Sequence, residues 1–188
     1  MTTATTIRRF SRDEYYQMAR SGILRQDERV ELIHGEIVNK TPQGTTHAAF
    51  INFLDAQLQQ AFGEQAAVRT QLPLSLGEAS EPEPDLAVVP GQPLDYVQAH
   101  PTTACLIVEV AGTGLSFDRT NKAKLYAEHL IPEYWIVNIC DRQLEVFRNP
   151  STSGYETHKI LHADESVTPL HAPNFSLSLA SMFSSLQQ

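Results

Sequence analysis

Two short apolar runs each carry a carboxylate in or at the head of the run: Asp85 in Glu83-Pro84-Asp85-Leu86-Ala87-Val88-Val89, and Glu109 in Cys105-Leu106-Ile107-Val108-Glu109-Val110-Ala111. A carboxylate inside a buried strand costs several kcal/mol unless a cation meets it, so two such runs in succession predict a shared cation. Residues 104 to 111 are apolar at both parities except for Glu109, the pattern of a central strand covered on both faces. The two-residue period puts Ile107, Glu109 and Ala111 on one face and Leu106, Val108 and Val110 on the other. Pro84 lacks the N–H that a central ladder needs, so Asp85 stands at the beginning of its strand, whereas Glu109 stands near the end of the next. If the two strands are antiparallel neighbours, both carboxylates converge at one edge. That is a metal site in outline.

Other residue types invite chemistry and divide differently. Lys122 shares a helical face with Tyr126 and Leu130 through four-residue steps, whereas Lys124 lies four residues before Glu128, the arrangement of a solvent-face ion pair. A solvent role therefore fits Lys124 much better than Lys122. Glu31 and Glu36 read, from the residues alone, as solvated hairpin charges, and a lone His47 in the first turn of a helix is more often a cap or core contact than a ligand. Gly112-Thr113-Gly114 lacks the Gly-Lys-Ser/Thr ending of a phosphate loop and the third glycine of a dinucleotide fingerprint. His158 and His162 are four apart, but no Glu follows the first and the segment reads as strand, which argues against a zincin. There is no Gly-x-Ser-x-Gly elbow, and the cysteine spacing excludes a zinc ribbon.

The elements that would position these residues follow from periodicity and punctuation. Ser11 with Glu14 is a capping box opening a short helix that stops at Gly22. Val30 to Val38 predicts a tight hairpin with His34-Gly35 at the turn. Thr46 is expected to cap a helix from His47 to Phe62, ended by Gly63 and striped by Phe50, Ile51, Leu54, Leu58, Ala61 and Phe62. Ala67 to Leu76 alternates as a strand, the two acidic strands follow, and Pro90 to Thr103 connects them. Asp118 is the expected N-cap of a helix from Arg119 to Leu130, closed by Pro132. Glu133 to Cys140 and Gln143 to Asn149 pair across Asp141-Arg142, Tyr155 to His162 adds a strand, and Phe175 to Phe183 docks on the core.

A length of 188 residues with 41% hydrophobic and 19% charged content predicts one domain over 1–188, able to bury a good core. A net charge of −8 does not favour broad capture of nucleic acid, so a polyanion would need a local basic patch or a metal. The opening residues lack a signal-type apolar core, and no stretch is long enough to span a bilayer. Cys105 and Cys140 lie in apolar strand-like runs and read as reduced core thiols of a cytoplasmic protein.

Arg29-Val30-Glu31-Leu32-Ile33-His34-Gly35-Glu36-Ile37, Pro84-Asp85-Leu86-Ala87-Val88-Val89, Ile107-Val108-Glu109-Val110, Asp118-Arg119 with Lys122 and Tyr126, and Ile131-Pro132-Glu133-Tyr134-Trp135-Ile136-Val137 follow one another in order. Together they resemble the successive blocks of the Uma family, restriction-endonuclease-like proteins of the PD-(D/E)xK nuclease superfamily that are abundant as paralogues in cyanobacteria. The resemblance covers roughly residues 10 to 183. It implies an α/β fold, a mixed sheet flanked by helices, with a metal held by Asp85 and Glu109. The superfamily pattern places Lys two residues after the Glu, where this chain has Ala111; the family carries its lysine on the following helix, at the position of Lys122. Glu31 matches an acidic position near the family's site, and His47 matches a frequent histidine. Asn138 stands where the family usually has Asp, a departure expected to concern folding more than chemistry.

What the resemblance implies is metal-dependent hydrolysis of DNA phosphodiesters, with Asp85, Glu109, Lys122 and Glu31 as catalytic residues and His47 as an accessory. Two carboxylates with backbone or water oxygens suit a hard cation, Mg²⁺ first and Mn²⁺ as substitute. Lys122 would orient or deprotonate the water, or neutralise the phosphate. A homodimer is expected by analogy. The opposing reading is a non-catalytic binding or regulatory module retaining the fold, favoured by the acidic balance and the lack of any Lys/Arg-rich segment.

Overall fold

The computed structural model describes residues 6–40, 42–112 and 114–187. Helix α1 (Arg12–Arg20) begins at a complete capping box, in which Ser11 Oγ accepts from the Glu14 N–H and the Glu14 carboxylate accepts from the Ser11 N–H. Strands β1 (Val30–Ile33) and β2 (Glu36–Asn39) form the expected hairpin. Its turn residues His34 and Gly35 have φ of 48° and 76°, the left-handed pair that a two-residue turn demands. Gly35 also packs against the chain before α1, where an added Cβ would come within 2.7 Å of Arg9 Cβ.

Helix α2 (Thr45–Phe62) starts two residues earlier than the sequence suggests, with Gly44 rather than Thr46 as N-cap and no side-chain cap at all. Strand β3 (Ala66–Thr70) stops short of Leu76 because Gln71 turns to φ 52°, and this lets the Gln71 N–H donate to the Asp85 carbonyl at 3.1 Å. Strands β4 (Leu86–Pro90) and β5 (Leu106–Ala111) follow, and the chain then enters one continuous helical segment: α3 (Leu115–Phe117), a π turn over Asp118–Lys122, and α4 (Ala123–Glu128). Asp118 is thus inside the helix, not its cap, and Leu130 lies beyond its end, 62% exposed at φ 55° rather than on the buried stripe. Strands β6 (Glu133–Asn138), β7 (Gln143–Ser151), β8 (Gly154–Leu161), β9 (Ser166–Val167) and β10 (Leu177–Ser178) and helix α5 (Leu179–Phe183) complete the chain. Cys140 falls in the turn after β6 and is exposed, so only Cys105 is partly covered; both are free thiols.

Six strands form one mixed sheet in the order β3-β4-β5-β6-β7-β8. Only β5 and β6 are parallel, which is why the long helical crossover joins them. β4 and β5 are antiparallel with Leu86 opposite Val108 and Ala87 opposite Ile107, so the strands are covered on both faces as their apolar parity requires. On one face Leu86, Val88, Leu106, Val108 and Val110 pack with Phe50, Leu54 and Leu58 of α2 and with Met182 and Phe183 of α5. On the other, Ala87, Val89, Ile107 and Ala111 pack with Leu125 and Tyr126 of α4 and with Ile33 of the hairpin. The result is a sheet sandwiched by helices, with the hairpin closing the end where β4 begins and β5 finishes.

Candidate active site

Extending the β4–β5 register by one residue sets Asp85 opposite Glu109. Backbone amides of each strand serve the carboxylate of the other: Val110 N–H donates to Asp85 Oδ2 at 2.9 Å, and Asp85 N–H faces Glu109 Oε2 at 3.4 Å. Both side chains are buried, Asp85 at 6% exposure and Glu109 at 4%. The two acidic runs therefore place their carboxylates together at one sheet edge.

A cation does meet them, and it comes from the helix. Lys122 Nζ lies 2.8 Å from Glu109 Oε1, 3.2 Å from Glu31 Oε1 and 3.9 Å from Asp118 Oδ1, with the side chain buried. Lys124 is exposed and stands 3.7 Å from Glu128. Asp118 and Lys122, four residues apart at the two ends of the π turn, both lie on the buried side of the helix. Tyr126, one turn on, donates its hydroxyl to the same Glu109 Oε1 at 2.9 Å.

Glu31 is not a solvated hairpin charge. It is 3% exposed, it pairs with Lys122, and its Oε2 accepts the Glu83 N–H at 3.0 Å, so it ties the hairpin to the segment leading into β4. Glu36, across the same hairpin, is exposed and pairs with Arg9 at 2.7 Å. His47 reaches over from the first turn of α2 to set Nε2 3.1 Å from Asp85 Oδ2, while its Nδ1 is buried with no hydrogen-bond partner. Asp118 and Tyr126 join the site although the pattern of the sequence does not mark either as a site residue. The available signal for Asp118 was its four-residue spacing to Lys122, which in a helix stacks the two side chains on one face.

Charge in this cluster is unbalanced, since Glu31, Asp85, Glu109 and Asp118 surround one buried ammonium. Burial, reinforced by Asp85, Asp118 and Glu31, pushes the Glu109 carboxyl up to about 8 despite Lys122. Burial also lifts Asp118, to about 6, with Asp85 and Glu31 adding to it. Asp85 goes the other way: the cost of burial is outweighed by the hydrogen bond and charge of His47, the Val110 N–H and Lys122, so it stays ionised below the usual carboxylate range. For Lys122 the carboxylates outweigh burial and hold the proton more tightly than usual. Burial likewise raises Tyr126 far above the usual phenol range, which keeps it a donor.

All of these residues but Tyr126 line a pocket of about 390 Å³. Glu31, Val38, Asn39, Lys40, Gly44 and His47 come from the hairpin and the start of α2; Asp85, Glu109, Val110, Phe117, Asp118 and Lys122 come from the sheet edge and the crossover helix. Among the described residues no three His, Cys, Asp or Glu side chains converge as a ready-made metal cage. The donors that are present are hard oxygens, and Mg²⁺ is ordinarily held by one or two carboxylates with waters and substrate phosphate rather than by an all-protein cage. Four buried carboxyl groups, of Glu31, Asp85, Glu109 and Asp118, stand around one ammonium, an excess of hard-oxygen donors that a divalent ion would neutralise, so the donor chemistry fits such an ion.

A mixed sheet between helices, with paired carboxylates and a lysine at the edge of its central strands, defines the restriction-endonuclease-like class of α/β proteins. The model of the Uma2 family, described as "Putative restriction endonuclease", matches residues 12–180, and the chain belongs to that family. A crystal structure from Anabaena variabilis ATCC 29413, described as a "putative nuclease belonging to DUF820", superposes with a TM-score of 0.75 over 94% of this chain and 99% of that one. The two are 19% identical and share the fold. No curated protein matches the chain.

Proposed function

We propose that the protein is a divalent-metal-dependent endonuclease that hydrolyses DNA phosphodiesters. The observation that carries this reading is the convergence of Asp85, Glu109 and Lys122, from two strands and a helix, at the buried end of one pocket. Family membership and the shared fold support the reaction class. Asp85 and Glu109 would hold Mg²⁺, or Mn²⁺ in its place. The ion would supply a polarised phosphoryl oxygen, a bound water of lowered pKa and a counter-charge.

The chain's own residues supply the rest. Lys122 is held cationic by its carboxylates, which supports a part in neutralising charge on the pentacoordinate phosphate rather than in removing a proton from water. Glu31 and Tyr126 fix the ammonium and the Glu109 carboxylate between them, so neither must reorganise as charge develops. His47 orients Asp85 through Oδ2. A homodimer and a cytoplasmic location are proposed on the resemblance alone; no helix among the described residues is long and apolar enough to cross a membrane.

The test is supercoiled and single-stranded DNA incubated with wild type, Asp85→Ala, Glu109→Ala and Lys122→Ala. Wild type should nick or cleave with Mg²⁺ or Mn²⁺ and bind Ca²⁺ without turnover, because the looser coordination of Ca²⁺ holds water and phosphate less rigidly. The two carboxylate variants should lose metal affinity and cleavage together, while Lys122→Ala should retain the metal and lose rate. Wild type indistinguishable from all three, with no metal bound in calorimetry, would instead establish the non-catalytic module. The observation favouring that alternative is that Lys40, His47 and Lys122 in the pocket are already matched to carboxylates.

A further inference from the structure

We infer that His47 is itself a ligand of the divalent ion, through Nε2, and that this nitrogen makes the site select Mn²⁺ over Mg²⁺; this rests on the reading of Asp85 and Glu109 as metal-holding carboxylates. His47 Nε2 and Asp85 Oδ2 stand 3.1 Å apart, and both residues line the pocket. An octahedral ion with bonds of about 2.0–2.1 Å sets its neighbouring donors about 3 Å apart. The two atoms are therefore already spaced as one edge of such an ion's coordination shell. With the ring proton on Nδ1, the Nε2 lone pair is free to be that donor. Glu109 offers Oε2 from the neighbouring strand, because its Oε1 is taken by Lys122 at 2.8 Å and Tyr126 at 2.9 Å, whereas Oε2 faces the Asp85 N–H.

The ordinary reasons for a histidine at this position do not account for it. It does not cap α2, whose N-cap is Gly44 and which has no side-chain cap. It belongs to neither apolar cluster, and its side chain keeps 20% of its surface exposed. Its Nδ1 is buried without a hydrogen-bond partner among the described residues, a cost that packing alone gives no reason to bear. What the ring gains in return is its place beside Asp85. Imidazole nitrogen is a better donor for first-row transition ions than for hard, oxygen-seeking Mg²⁺, so one nitrogen among carboxylates shifts the preference toward Mn²⁺. A histidine that only oriented Asp85 through a hydrogen bond would strengthen the binding of both ions alike.

The experiment titrates chelator-treated protein with Mn²⁺ and with Mg²⁺ by calorimetry, and reads the Mn²⁺ complex by pulsed electron paramagnetic resonance, for wild type, His47→Ala and His47→Gln. Wild type should bind Mn²⁺ at least about tenfold more tightly than Mg²⁺, and the Mn²⁺ spin should couple to an imidazole nitrogen. His47→Ala should lose that coupling and weaken Mn²⁺ about tenfold or more, while Mg²⁺ weakens by less than about threefold. His47→Gln, which can still donate a hydrogen bond to Asp85, should lose the coupling and the Mn²⁺ preference as well. The resonance of wild type decides the ligation even if a variant fails to fold. No nitrogen coupling in wild type, or a coupling that persists in His47→Ala, would overturn the inference, as would equal weakening of the two ions; His47 would then only orient Asp85, and the nuclease reading would stand. Mn²⁺ bound with nitrogen coupling but no DNA cut would uphold the ligand and remove the nuclease reading, whereas a wild type that binds neither ion would end both.

Discussion

Lys122 neutralises the carboxylates that would otherwise attract a divalent ion, so its removal has opposite effects on binding and on rate. Replacing it with Met leaves Glu109, Glu31 and Asp118 buried without their ammonium. Mg²⁺ affinity should then rise, by about tenfold or more given charges in contact in a medium less polar than water, while cleavage falls. Calorimetric titration beside a nicking assay separates the two. Glu109 adds a pH dependence. Its carboxyl rises from 4.5 to about 8 on folding, so between those values the folded chain holds a proton that the unfolded chain releases. Stability from this group is therefore complete below 4.5 and is lost as pH rises through about 8. Above that value a bound cation neutralises the ionised carboxylate and removes the penalty, whereas near pH 6 it must first displace the proton. The rise in melting temperature on adding Mg²⁺ should accordingly be larger above pH 8 than near pH 6, measured by differential scanning fluorimetry.

At the scale of elements, the crossover helix is pinned on both sides of its π turn. Arg119 donates through Nε and an Nη to the fully buried Glu145 of β7 at 2.6 to 3.1 Å, while Lys122, three residues on, faces the site. His158, stacked on Phe147 at 4.1 Å, gives Glu145 a second partner at 2.9 Å. Arg119→Ala removes the main partner of a buried carboxylate. Arg119 is itself 40% exposed and His158 remains, so the loss should be about 1–3 kcal/mol rather than the full cost of an orphaned charge. Chemical denaturation should show the double variant Arg119→Met with Glu145→Met more stable than Arg119→Ala alone, because the stranded carboxylate is then gone.

For the whole molecule the net charge of −8 repels a polyanion, and most cations are spent on internal pairs such as Arg12 with Glu81, Arg148 with Glu133 and Arg119 with Glu145. Few phosphate contacts are left to make. Cleavage should be fastest at low to moderate salt, and the logarithm of DNA affinity should fall with the logarithm of salt with a shallow slope of about one to two. A slope as steep as that of proteins making many phosphate contacts would indicate a basic surface outside this pocket, and a series of anisotropy titrations at increasing salt decides between them.

Local rules read from the chain determined much of this protein. The capping box at Ser11, the His34-Gly35 turn, the α2 stripe and its stop at Gly63, and the two-faced burial of β5 all follow from periods and caps that act within a few residues. The same spacing separated Lys122, at the carboxylates, from Lys124, in solvent. The tertiary structure decided what those rules cannot reach. Whether Glu31 is solvated or buried depends on Lys122, ninety-one residues later in the chain, closing over the hairpin. Asp118 passes for a helix cap until the π turn shows the helix running through it, because one widened turn breaks the regular period on which such readings depend. His47 gains its place beside Asp85 only when α2 lies across the sheet. A side chain's burial and charge environment are properties of whatever packs against it, and for this site those partners come from the hairpin, two strands and two helices that are distant in sequence.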